Sequence, residues 1–282
     1  RDLLNRWKAN GNGTLYIDDN SIAVKQIGAN QIAAGAITAD HIYGGTITGD
    51  KIKANTSITA PTINGGNINI TLDSLSSATL TVNQSNANTY SGIISGTNGN
   101  LTKSGSATLT LSGVNSYSGT TNNTAGTLVL GNNAAMGTSS LVMSGGSLQA
   151  STTLINVTNI YSLTVPSTMN GTNSFTMSGA GNLNSNTLTV SNTSGIITLS
   201  GVISGAGGIT RNGAGGTLIL SAANTYSGVT TITDGTLRTG VANAISDSIA
   251  VTLANTSGAI FDLNNFVEKL KMIEGELSRN SW

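Results

Sequence analysis

Cysteine is absent from this 282-residue chain, proline occurs twice, and charged residues make up 9% of it. Without cysteine there is no disulfide framework, no thiolate zinc site and no thiol nucleophile. Twelve basic residues balance twelve acidic ones, so there is no electrostatic footprint for a nucleic-acid backbone. The same balance argues against disorder driven by net charge. Aromatics stand at 4%, too few for one thick globular core of an ordinary α/β enzyme. No run approaches the roughly 18 to 20 apolar residues that span a bilayer. Arg1 to Trp7 hold neither an initiator Met nor a signal-peptide apolar stretch, as expected of a piece of a longer polypeptide. What is abundant is Gly, Asn, Thr and Ser around short runs of Ile, Leu and Val. Such a chain makes many short strands and turns. It reads as an all-β repeat protein.

Two repeats are present. In the first, isoleucine recurs at a step of five, at Ile17, Ile22, Ile27, Ile32, Ile37, Ile42, Ile47 and Ile52. Such a step turns an α-helix about 500°, so these side chains never form a helical stripe. On a flat strand the odd step sends alternate residues to opposite faces. A constant inward direction therefore needs a turn inside each unit, which Asn20, Asn30, Asp40 and Asp50 supply. Two architectures satisfy this: a solenoid with very short sides, or an interwound fibre whose chains share an axial isoleucine row. The preferred reading is the fibre, a homotrimer with Ile22, Ile27, Ile32, Ile37, Ile42, Ile47 and Ile52 in its core.

The second repeat is longer, and its two copies are well separated along the chain. Leu101-Thr102-Lys103 leads through Thr108-Leu109-Thr110-Leu111 to Asn115, Tyr117 and Gly119, closing at Gly126-Thr127-Leu128. Ile209-Thr210-Arg211 leads through Thr217-Leu218-Ile219-Leu220 to Asn224, Tyr226 and Gly228, closing at Gly235-Thr236-Leu237. Apolar residues alternate at period two, which sets Leu109, Leu111, Leu218 and Leu220 inward and Thr110 outward. Glycines mark the turns. Asn115 and Asn224 are expected to stack their amides into a ladder, with Tyr117 and Tyr226 as stacking scaffold. Val129-Leu130 is replaced by Arg238-Thr239 in the second copy, so that rung is expected to be exposed.

Residues Ala36-Ile37-Thr38-Ala39-Asp40-His41-Ile42 and Thr46-Ile47-Thr48-Gly49-Asp50-Lys51-Ile52 resemble repeats in tail-tip host-specificity proteins and central tail fibres of long-tailed bacteriophages. The later blocks resemble the passenger-associated β-strand repeat of autotransporter proteins, and Phe261-Asp262-Leu263-Asn264-Asn265-Phe266 resembles a later strand of that family. Ser106-Ala107 departs from its usual glycine pair. The second resemblance implies a right-handed parallel β-helix, a stack of short rungs that each contact only their neighbours. The domain reading is a connector over 1–16, a fibre stalk over 17–70, a β-helix over 71–266 with repeats at about 94–131 and 203–240, and an amphipathic cap over 267–282. In the last, Val267, Leu270, Ile273 and Leu277 fall at helical spacing, which predicts a short helix.

Little catalytic chemistry is on offer. His41 is the sole histidine, at a decapeptide position held elsewhere by Gln31 and Lys51, so it reads as a variable surface residue; a trimer axis gathering three copies around a metal is the sharper alternative. Asp234, Asp247 and Asp262 are the carboxylates of the later β-helix, and their spacing does not stack them one rung apart as the acid and base of a glycan-cutting tailspike. No catalytic, metal or cofactor residue is assigned. The preferred functional reading is a structural virion protein of a phage tail fibre or tail tip, contacting other tail proteins and a bacterial receptor (a glycan or an outer-membrane protein). An autotransporter passenger at the cell surface or secreted is the alternative, and a tailspike the second. Tyr161 and Phe175, the aromatics between the two blocks, are the candidate receptor contacts; filling an irregular rung is their other reading.

Overall fold

A computed structural model describes residues 7–9, 15–17, 78–152 and 155–268. The isoleucine core candidates Ile22 to Ile52, His41 and residues 269–282 lie outside the described residues, as does most of the expected terminal helix. The chain divides into two compact units, Arg1–Ile63 and Asn64–Trp282. In the first, Trp7–Ala9 and Leu15–Ile17 pair antiparallel.

In the second unit every described pairing is parallel, and the chain winds as a three-sided solenoid. Thr79–Val82, Asn100–Lys103, Thr120–Asn123, Ser140–Met143, Tyr161–Leu163, Gly181–Asn182 and Ile203–Ser204 stack as the first face. Asn88–Tyr90, Thr108–Leu111, Thr127–Leu130, Ser147–Ala150, Ser167–Met169, Leu188–Val190, the starts of Ile209–Leu220 and Thr230–Thr239, and Val251–Leu253 form the second. Ile155–Val157, Phe175–Met177, Ile196–Leu199, the ends of the two long strands and Ala259–Asp262 form the third. Nine rungs on the second face, at roughly 4.8 Å each, give a solenoid about 40 Å long.

Inward and outward positions alternate as the period-two pattern predicts. Leu109, Leu111, Leu218 and Leu220 are buried, and Thr110 between the first pair is half-buried on the outside. Leucine, isoleucine, valine and methionine at the inward positions then build a continuous narrow core along the axis. Each fully buried one contributes roughly 1.5 to 3 kcal/mol. Parallel solenoids also satisfy their backbone rung by rung, so stability grows with the number of turns rather than with core width.

The two long repeats are not superposed along the axis. From Leu101 the first-face ladder passes through Thr121, Leu141, Tyr161 and Gly181 to Ile203, five turns on. Ile209 then starts on the second face, so the second copy is rotated by one face of the triangle. Leu109 accordingly packs from the second face and its counterpart Leu218 from the third. One repeat sequence fits two different faces because all three offer the same register of inward and outward positions.

Candidate functional surface

Two positively charged side chains are buried at equivalent positions, and they organise the repeats. Arg211 is fully buried, and its guanidinium donates to five backbone carbonyls. Nη1 reaches Val190 O at 2.8 Å, Nη2 reaches Asn192 O, Gly213 O and Gly216 O at 3.1, 2.5 and 2.6 Å, and Nε reaches Thr236 O at 3.2 Å. Val190 and Ile232 flank Arg211 on the adjoining rungs, so one side chain ties three consecutive turns. Lys103, also fully buried, donates to Gly105 O and, at 2.9 Å, to Ala125 O on the next turn. Burial lowers both pKa values; at Arg211 the neighbouring Asp234 acts in the opposite direction. Asp234 takes the place of Ala125, so of the two buried cations only Arg211 has a carboxylate at this repeat position.

The glycines of the closing Gly-Thr-Leu motif follow from this arrangement. Gly126 and Gly235 have φ of 65° and 72°. A Cβ on Gly235 would collide with Arg211 Nη2, and one on Gly126 would lie 2.7 Å from Lys103 Nζ. A bare backbone is what lets the cation reach its carbonyls.

Other repeat residues are scaffold too. Tyr117 and Tyr226 are fully buried, each with its hydroxyl on a threonine in the strand that follows: Thr121 at 2.7 Å and Thr230 at 2.6 Å. Burial pushes both phenols up to about 12. Asn115 and Asn224 are buried, but their amides do not stack on each other. Asn115 Oδ1 accepts from Ile94 N and its Nδ2 donates to Ala135 O, bridging the turns before and after; Asn224 repeats this with Ile203 N and Ala244 O. The expected amide ladder is thus a set of side-chain bridges to backbone. Turn corners leave N–H and C=O groups pointing along the axis without strand partners, and an amide satisfies one of each.

Three further expectations change. Tyr161 and Phe175 are 3% and 2% exposed and point into the core, so neither ring is presented to a receptor. Tyr161 lies against Gly181 of the next rung, where a Cβ would collide with its ring, and Phe175 stacks between Ile155 and Ile197. The reason is register: both fall at inward positions of three-residue strands, as their neighbours Leu163 and Met177 do. The Arg238-Thr239 rung is not open either. Thr239 is fully buried with its hydroxyl on Leu263 O at 2.7 Å, and Arg238 points outward to Asp262 at 2.7 Å.

What remains for a partner is the outer surface, and it carries a pattern that sequence reasoning missed. On the second face Thr108, Thr127, Ser147, Thr168, Thr189, Thr210, Thr231 and Thr252 stand in register on eight consecutive rungs, all half-buried. The signal is present in the sequence as a hydroxyl beside an inward apolar residue, once per turn. Recognising it needs the register. On the first face Ile160 (59% exposed), Ala180 and Val202 (46%) line up over successive rungs beside a shallow depression of about 310 Å³. Because Lys103 and Arg211 are internal, the surface from 78 to 233 bears no formally charged side chain.

No match is found among curated proteins or among solved structures. The passenger-associated-transport-repeat does match, at residues 101–130 and again at 209–238. These are the segments that each hold one buried cation, its glycine seat and one bridging asparagine. The chain therefore carries two passenger-associated-transport repeats, built as turns of one parallel β-solenoid.

Proposed function

We propose that this chain is the solenoid part of an autotransporter-type passenger, displayed at the bacterial surface or released from it, where it acts as a non-enzymatic, adhesive structural segment. The observation that carries this reading is the pair of matched repeats forming turns of one parallel solenoid. The outer surface is consistent with it: charge-free over most of its length, with threonine hydroxyls and small apolar side chains in columns. Contacts made by such a surface are hydrogen bonds and van der Waals contacts, weakly dependent on salt.

A second reading, a phage tail-fibre or tail-tip protein, is favoured by the isoleucine repeat from Ile17 to Ile52. One experiment separates them. Antibodies raised against residues 78–268 are applied to intact producing cells, to culture supernatant and to purified virions from the same strain. Labelling of cells that is lost on external protease treatment, or antigen in the supernatant apart from virions, supports the passenger reading. Label confined to virion tails overturns it in favour of the fibre.

A further inference from the structure

On the first face the outer surface dips. Ser140, Ile160, Ser162, Ala180, Asn182 and Ser204 line a shallow depression of about 310 Å³, at the lower end of the range for small-ligand sites. Ile160 and Val202 project on either side of Ala180 in one outward column, and that step from branched to small side chain and back makes the hollow. Beneath it the Tyr161 ring lies against Gly181, so the floor rests on packed core.

The polar side chains around the hollow are mostly unengaged. Among the described residues the hydroxyls of Ser140 and Ser162 have no hydrogen-bond partner, and neither has Nδ2 of Asn182, whose Oδ1 accepts from Asn184 N at 2.8 Å. Ser204 Oγ donates to Gly181 O at 3.2 Å and keeps its lone pairs. The backbone, by contrast, is engaged: Leu141 N, Tyr161 N and Gly181 N donate to Ile160 O, Ala180 O and Val202 O at 2.9, 2.9 and 3.0 Å. An extended peptide would find no strand edge to pair with here. The surface from 78 to 233 bears no formally charged side chain, so an ionic ligand would meet no counter-charge to offset its lost water. A wholly apolar ligand would leave two hydroxyls and an amide without partners. What fits is a neutral molecule with hydroxyls around its edge and C–H groups on its face.

We propose that this depression is a binding site for an uncharged glycan, whose sugar ring lays its C–H face on Ile160 and Ala180 while its hydroxyls bond Ser140, Ser162, Asn182 and Ser204. Side chains in one column recur at about 4.8 Å per rung, the scale of a single ring, so Ser162, Asn182 and Ser204 meet different hydroxyls along its edge. This ligand class deepens the adhesive reading above and rests on it. So shallow a site binds weakly by itself, and many copies on one cell supply the avidity that adhesion needs.

The full chain, isotope-labelled for nuclear magnetic resonance, is titrated with uncharged glucose, galactose and mannose oligosaccharides and with sialylated and sulfated ones. An uncharged sugar should move the amides of Ser162, Gly181, Asn182 and Ser204, and should bind as well in raised salt. Ala180→Leu, an outward change that fills the hollow, should abolish the shifts. Ser162→Ala, which removes a hydroxyl the fold does not use, should weaken binding about fivefold, both variants keeping the rest of the spectrum. No shift with any uncharged sugar, a response to acidic sugars alone, or binding that survives Ala180→Leu overturns the site. The passenger reading is decided separately, by where antibodies find the chain, because the titration uses purified protein wherever it is displayed.

Discussion

Replacing Arg211 by Met keeps a long unbranched side chain in the core and removes all five hydrogen bonds. The carbonyls of Val190, Asn192, Gly213, Gly216 and Thr236 then lose their shared donor. Hydrogen bonds to a charged group contribute about 1.5 to 3 kcal/mol each, which would sum to more than the whole stability of many domains. Two effects cut that figure. The guanidinium's own desolvation, several kcal/mol, is relieved in the variant. Some carbonyls also keep strand partners through their second lone pair. A net loss of about 3 to 5 kcal/mol is the result, with the turn over 212–216 the first part to open. Arg211→Lys should recover about half, since Lys103 performs the same task with two carbonyls in the other copy. Equilibrium unfolding in urea, followed by circular dichroism, measures the loss, and hydrogen exchange locates it. A loss under about 1 kcal/mol for Arg211→Met, with Gly213 to Gly216 still protected, would refute the idea that the buried cation holds the three turns together.

Leu111→Ala should cost about 2 to 5 kcal/mol, whereas Thr110→Ser should change the denaturation midpoint little; equal effects would mean the inward face is misassigned. Asn115→Ala leaves Ile94 N and Ala135 O without their partners and should cost about 2 to 4 kcal/mol, read by thermal unfolding against Asn→Ala at exposed Asn86. Alkaline pH should unfold the protein. The Tyr117 and Tyr226 hydroxyls are raised in the fold from 10.0 to about 12. Their contribution is complete below pH 10 and is lost as the pH rises through 12, at about 2 to 3 kcal/mol for each phenol. A double Tyr→Phe variant whose stability falls as steeply between pH 10 and 12 would contradict that assignment.

Most of the solenoid is legible in the sequence because its signal is periodic. Leu109 and Leu218 announce an inward phase, the glycines announce turns, and a repeat of tyrosine and asparagine announces stacked units. Tyr161 and Phe175 look like surface contacts because they fall between the repeat blocks, where no second copy reveals the phase of a three-residue strand. Lys103 and Arg211 stand out as the lone charges of a long stretch, yet their burial is invisible. Charge ordinarily predicts exposure, and the compensation comes from backbone carbonyls, which every sequence has. The threonine column and the one-face rotation of the second repeat need the register between turns. Spacing alone fixes how far apart two copies lie along the chain, and not on which face the second begins.

If the two repeats are turns of one three-sided parallel solenoid, offset by a face, distances along a single column follow from the rung spacing. A chain without cysteine can be spin-labelled at chosen positions. Thr127 and Thr231 lie five rungs apart on the second face. At the ordinary strand spacing, pulsed dipolar spectroscopy on a Thr127→Cys, Thr231→Cys pair should give one narrow distance of about 24 Å. A broad distribution, or a distance beyond about 35 Å where that spacing allows no such gap, would mean that these threonines do not share a column and that the solenoid is not built this way.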